Sequence, residues 1–276
     1  MRRGEHPDLS FDPIASAALD FTLQVERLYA GLIRSGNYGT SAEPGLGGTL
    51  LYAGELDDNG RALLIGGNIA GAATLAATAD PAAQKQAIRD GVADFLVNNL
   101  DEALRILKNE IRKSEAVAVC LAAAPQTVER EMLERGVLPD LLPQHFSPDS
   151  TAHLWQSARR IEPAQVEDNL AIVNWSVAAS QAQWLPKLDV IAMDCLRTSA
   201  EPETGVALRW LRLAPRYLGR LAQGVRVLRC QPADAKAFVS RAQNAVECGE
   251  IGVEVQIDLN NDEKVIRFQP SPRSSC

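Results

Sequence analysis

The 276-residue chain carries 35 acidic against 28 basic residues and is 46% hydrophobic, a length that suits one large or two modest domains with a substantial core. The acidic surplus, without a long basic cluster, argues against nucleic-acid binding. No apolar stretch is long enough to span a bilayer, and Met1-Arg2-Arg3-Gly4-Glu5-His6 runs into Pro7-Asp8 rather than an apolar core region, so a cytoplasmic protein without membrane contact is expected.

In chain order, residues 11–34 space Ile14, Ala18, Phe21, Leu28 and Leu32 as one helical face, with Asp12-Pro13 as a start signal. Residues 1–44 are thus expected to form an N-terminal helical arm, ending in a Gly-containing loop. Thr49-Leu50-Leu51-Tyr52-Ala53-Gly54 has the pattern of a buried strand, followed by a turn and a helix up to Gly71. The Asp58-Asn59-Gly60 turn also suits a β-hairpin, which would replace that helix. Further strands are expected over 73–78, 93–97 and 117–122, alternating with helices over 81–90, 100–112 and 126–135. Pro81, Asn98-Asn99 and Gly136 supply their start and stop signals. Strands alternating with helices of this length predict a mainly parallel sheet covered on both faces over residues 45–143.

In such a sheet a ligand belongs beyond the carboxyl ends of the strands, at the loops after Gly54, Thr78, Val97 and Ala122. A diphosphate needs Gly-x-Gly-x-x-Gly in the first of these, for a tight turn and a helix N-terminus aimed at phosphate. The chain instead carries Gly54-Glu55-Leu56-Asp57-Asp58-Asn59-Gly60. Each like-charge pair at about 4 Å costs about 1 kcal/mol in bulk water and about 4 kcal/mol at an effective dielectric near 20. Arg61 is the compensating charge nearby. His145 and His153 flank a loop at the ligand edge, where a general acid or base can be placed, against a plain structural or solvated role. The five cysteines have no Cys-x-x-Cys pair, so neither a metal site nor a redox motif is expected.

After a loop over 143–163, residues 144–276 hold a second α/β region. Strands are expected over 170–177, 206–213 and 225–230, helices over 181–196, 215–224 and 233–246, and a closing hairpin around Asn260-Asn261-Asp262. Arg209, Arg212, Arg216 and Arg220 give this region local positive character. They are suited to an anionic ligand or to pairing with the acidic surplus.

Several stretches resemble the Rossmann-like domain of the urocanases. These are Leu100-Asp101-Glu102-Ala103-Leu104, Arg135-Gly136-Val137-Leu138-Pro139-Asp140-Leu141, Ala70-Gly71-Ala72 and Ser150-Thr151-Ala152-His153, with a weaker likeness from Leu208-Arg209-Trp210 to Leu221-Ala222. The resemblance implies a Rossmann-like fold, a possible homodimer, and an active site in which oxidised NAD acts as an electrophile on urocanate beside a signature cysteine. Carried onto this chain, the family's glycine run is reduced to Gly54 and Gly60, and its acidic ribose ligand falls at Thr78. Its Gly-Asn falls at Ala123-Ala124 and its cysteine at Arg209. The expectation is a shortened, degenerate relative that keeps the scaffold and has lost hydratase chemistry. It would bind an unknown small molecule, anionic if the arginines receive it, or act as an interaction protein, with no cofactor expected. If the family function persists, NAD would lie against Gly54, Gly60, Arg61 and Thr78, with His145, His153 and Arg209 as the catalytic set.

Overall fold

The computed structural model describes residues 13–36, 44–144, 146, 152–165, 169–199, 203–222, 224–259 and 265–270. Helix α1 (Pro13–Ser35) leads to β1 (Leu50–Glu55) and α2 (Asp58–Ala70), so the acidic turn opens a helix and the hairpin alternative falls. Then follow β2 (Ala73–Ala77), α3 (Pro81–Asp90), β3 (Phe95–Val97), α4 (Leu100–Lys113), β4 (Val117–Leu121) and α5 (Pro125–Glu134), in the expected order. Local chemistry sets several of these boundaries. Asp80 accepts from the amides of Ala82 and Ala83 ahead of Pro81, and Gly91 ends α3 in the left-handed conformation at φ 72°. Asn99 accepts from Glu102 N to start α4.

The stretch expected as a loop over 143–163 is more structured than that. It receives the end of β5 (Leu141–Pro143), a 3-10 turn (Ala152–Ser157) and β6 (Arg159–Ile161). Both strands are only three residues long, too short to carry a period-2 pattern. They extend the sheet to six strands in the order β3-β4-β2-β1-β5-β6, and each neighbouring pair is parallel. One face, with Leu51, Ala53 and Ala76, packs under α1 and α2. The other, with Leu50, Tyr52 and Leu75, packs under α4, α5 and Trp155. Alternation along each strand produces this two-sided burial.

The region after residue 163 contains β7 (Ala171–Val177), α6 (Gln181–Arg197), α7 (Thr204–Leu218), β8 (Arg226–Cys230), α8 (Pro232–Glu247), β9 (Val255–Leu259) and β10 (Ile266–Phe268). Its sheet, β10-β9-β7-β8, is antiparallel. The turn expected at 260–262 lies outside the described residues. One element differs from expectation: 206–213 is helix, not strand, and continues through Pro215 to a short 3-10 turn (Gly219–Ala222). The buried residues of α7 are Ala207, Trp210, Leu211, Ala214 and Leu218, a helical spacing that a short, nearly continuous apolar run does not distinguish from a buried strand.

Helix α1 is the joint between the two halves. Its Val25, Leu28, Tyr29, Leu32 and Ile33 belong to one cluster with residues of α2, α7 and the antiparallel sheet. Glu26 on α1 also receives two bonds from Arg229 on β8, Nε at 2.9 Å and Nη2 at 2.8 Å. Close approach of α2 to the sheet depends on a small residue. A Cβ on Gly67 would overlap the Thr74 methyl below, while Gly66 faces the α1 backbone.

Candidate functional site

The strand order turns at β1. Strand β2 lies on one side with β4 and β3 beyond it, while β5 and β6 lie on the other. The crevice beyond the carboxyl ends of β1 and β5 is therefore the place a ligand is expected in this fold. A cleft of about 590 Å³ opens there, lined in part by Asp20, Gln24 and Arg27 of α1, Asn59 in the first turn of α2, and Gln144 just after β5. Amides and one charge of each sign furnish its polar groups. Gln24 Nε2 donates to Asn59 Oδ1 at 2.6 Å, and Arg27 Nε donates to Ala164 O at 3.3 Å.

The turn between β1 and α2 is self-contained. Gly54 adopts φ +79°, a conformation that favours glycine, beneath the ring of Phe146. The register between β1 and β2 slips between Tyr52 and Gly54. The Asp57 carboxylate accepts from Gly60 N at 2.8 Å, as the N-cap of α2. Its oxygen thereby occupies the position an anion takes at a helix N-terminus. Gly60 has a packing reason of its own, since a Cβ there would overlap the Glu55 carbonyl oxygen. Arg61 is bound to Asp90 at 2.6 Å, with both side chains largely buried. Thr78 is buried; its hydroxyl accepts from Asp80 N at 3.3 Å and its carbonyl from Gln84 Nε2 at 2.9 Å, so it shapes the start of α3.

Beside this turn, on the α4/α5 face, three aromatic rings meet. Tyr52 packs edge-on against Phe146 (5.7 Å between centroids) and Trp155 (5.5 Å), which also contact each other. Tyr52 donates its hydroxyl to Glu129 Oε1 at 3.1 Å. Burial and then the Glu129 carboxylate push the phenol well above its ordinary pKa, which makes it a hydrogen-bond donor and not a base. Burial pushes the Cys120 thiol on β4 up to about 11, with the Glu55 carboxylate adding to the effect. A thiol held protonated in this way is a poor nucleophile.

The residues singled out from sequence are only partly brought together. Gly54, Gly60, Arg61 and Thr78 all lie at or near the carboxyl edge. His145 lies outside the described residues, and of His153 only the backbone is described, in the 3-10 turn. Arg209 is elsewhere. It projects from α7 and donates Nε to Ile69 O at 2.7 Å, beside Gly45 and Gly71. That is the C-terminal end of α2 and the amino edge of the sheet, the side opposite the cleft. A guanidinium here satisfies a terminal helix carbonyl and complements the negative end of the dipole. Sequence reasoning missed the capping role of Asp57, although Asp three residues before Gly60 at a helix start is an N-cap signature. Phe146, Glu129 and Gln144 gave no local signal, because only the fold brings them to the turn.

Among the described residues no three His, Cys, Asp or Glu side chains gather as metal ligands, and no helix is long and apolar enough to cross a membrane. Residues 39–154 match the family model of the urocanase Rossmann-like domain. The match spans the parallel sheet as far as the 3-10 turn and covers somewhat under half of the chain.

Proposed function

We propose that this protein is a urocanase-like Rossmann-type protein that has lost urocanate hydratase activity and acts as a small-ligand-binding or interaction protein, with the cleft beside Asn59 and Gln144 as its ligand site. The observation that carries this reading is the bond from Gly60 N to Asp57 Oδ1. The helix N-terminus that a diphosphate would use already holds a carboxylate, and Asp58 adds a second charge in the first turn. Three further features favour the same reading. Arg61 is neutralised by Asp90, Thr78 presents no carboxylate to a ribose, and Arg209, the match to the family's cysteine, caps α2 at the opposite edge. The residues present do not fit NAD at this turn. The amide-rich cleft suits a small polar molecule instead.

The family match on residues 39–154 favours a second reading, an NAD-dependent urocanate hydratase or related lyase with altered residues in the same crevice. One assay separates the two. Urocanate absorbance followed with the protein and NAD stays at the blank rate on the first reading, and turnover above blank refutes it. A mass spectrum of small molecules released from the native protein then identifies any ligand retained.

A further inference from the structure

A second cavity, of about 240 Å³, lies on another side of α1, where it meets α7 and β8. We infer that it is a binding site for an uncharged, ring-sized apolar molecule such as a bicyclic aromatic, seated at the joint between the two halves of the protein. This holds whether or not the carboxyl-edge cleft is catalytic, because none of the residues lining that cleft also lines this cavity.

The walls specify the chemistry. Tyr29 and Trp210 stand with ring centroids 5.3 Å apart and planes inclined at 37°. Their polar tips point to the backbone: Tyr29 Oη donates to Val206 O at 2.9 Å and Trp210 Nε1 to Val227 O at 2.6 Å. What these two residues give the cavity is therefore aromatic surface. Ala30, Ile33, Leu170, Val206 and Ala207 add further apolar surface.

Of the four charged residues lining the cavity, Arg34 and Glu203 are exposed and only Glu26 and Arg229 are buried. Glu26 and Arg229, with side chains 4% and 8% exposed, are joined in a two-pronged pair, and Arg229 Nη1 donates further to Gln165 O at 2.9 Å. A charged ligand seated against the buried pair would have to displace a satisfied partner, whereas a neutral ring leaves Glu26 and Arg229 joined. Size sets the scale: an apolar cavity of about 150 Å³ accepts benzene. A cavity of about 240 Å³ accepts one ring system larger.

Indole is the probe. Calorimetric titration of the full-length protein should show saturable one-to-one binding, and indole should raise the melting temperature. Ala207→Phe, at a small residue in the wall, should weaken indole at least about tenfold by filling the space. Ala30→Leu, a smaller intrusion from α1, should weaken it in the same direction and serves if the larger substitution prevents folding. Asp57→Ser, at the distant turn, should leave indole affinity unchanged. No saturable binding up to the solubility of indole, or undiminished binding in a folded filled variant, overturns the assignment.

Discussion

Replacing Asp57 separates two roles that one carboxylate plays at the start of α2. It caps the helix through Gly60 N at 2.8 Å, and it places a negative charge where an anionic ligand would sit. Asp57→Ala removes both. Loss of an N-cap costs about 0.5–2 kcal/mol, and loss of a favourable charge at the positive end of a helix dipole costs about 0.3–1 kcal/mol, so a total of roughly 1–3 kcal/mol is expected. Asp57→Ser keeps the cap and removes only the charge, and should lose about 0.3–1 kcal/mol. Urea denaturation of the three proteins, compared at constant slope, reads the difference directly. The serine variant should also gain affinity for inorganic diphosphate. Removing one like charge at about 4 Å is worth between about 1 and 4 kcal/mol, depending on the effective dielectric. Equal stability losses in the two variants, or no gain in diphosphate binding by the serine variant, would refute the idea that the carboxylate holds the anion position.

Other outcomes follow from the same geometry. Arg209→Met should destabilise the protein by about 1.5–3 kcal/mol through loss of a charged donor to Ile69 O, measured by the same denaturation; a neutral effect would remove its capping role. Arg209→Cys, which reinstates the family's residue type, should produce no urocanate turnover, because the site faces the amino edge of the sheet; detectable turnover would contradict that placement. Gly67→Ala should lower stability by about 1–3 kcal/mol despite the better helix propensity of alanine, since its methyl would overlap Thr74; a stabilised variant would show that α2 shifts freely. Peptide mapping after brief iodoacetamide treatment should find exposed Cys248 labelled ahead of buried Cys120 and Cys230, whose thiols burial pushes up to about 11 and about 12. Early labelling of Cys120 would indicate an accessible thiolate in the crevice.

Much of the architecture was written locally in the chain. The helix α3 over Pro81–Asp90 could be placed to the residue, because Asp80, Pro81 and Gly91 punctuate it by side-chain and backbone chemistry that acts within a few residues. The start of α4 at Asn99 is legible in the same way, although the helix runs one residue past the expected 112, and so is the alternation that dictates a parallel sheet. The segment over 206–213 shows where local pattern fails. Val206, Ala207, Leu208, Trp210, Leu211 and Leu213 form a short, nearly continuous apolar run that suits a buried strand as well as a helix, and burial of Trp210 and Leu211 in the core shared with α1 goes with the helix. That choice carries Arg209 to the far edge of the sheet, away from the turn with which the sequence grouped it.

The candidate site divides in the same way. The composition of the turn, with glycines replaced by Glu55, Asp57 and Asp58, was enough to argue against a diphosphate, because charge and conformational freedom are properties of the residues themselves. Whether Arg61 stays available or joins Asp90, and whether Phe146 lies over Gly54, depend on groups 29 and 92 positions apart meeting in space. The cavity between Tyr29 and Trp210 is the extreme case, since its walls come from α1, α7 and β8 and its Glu26–Arg229 pair joins residues 203 positions apart. Sequence determines which chemistry each segment can offer; long-range packing alone decides which of those groups face one another, because a contact across such separations exists only once the intervening chain has closed.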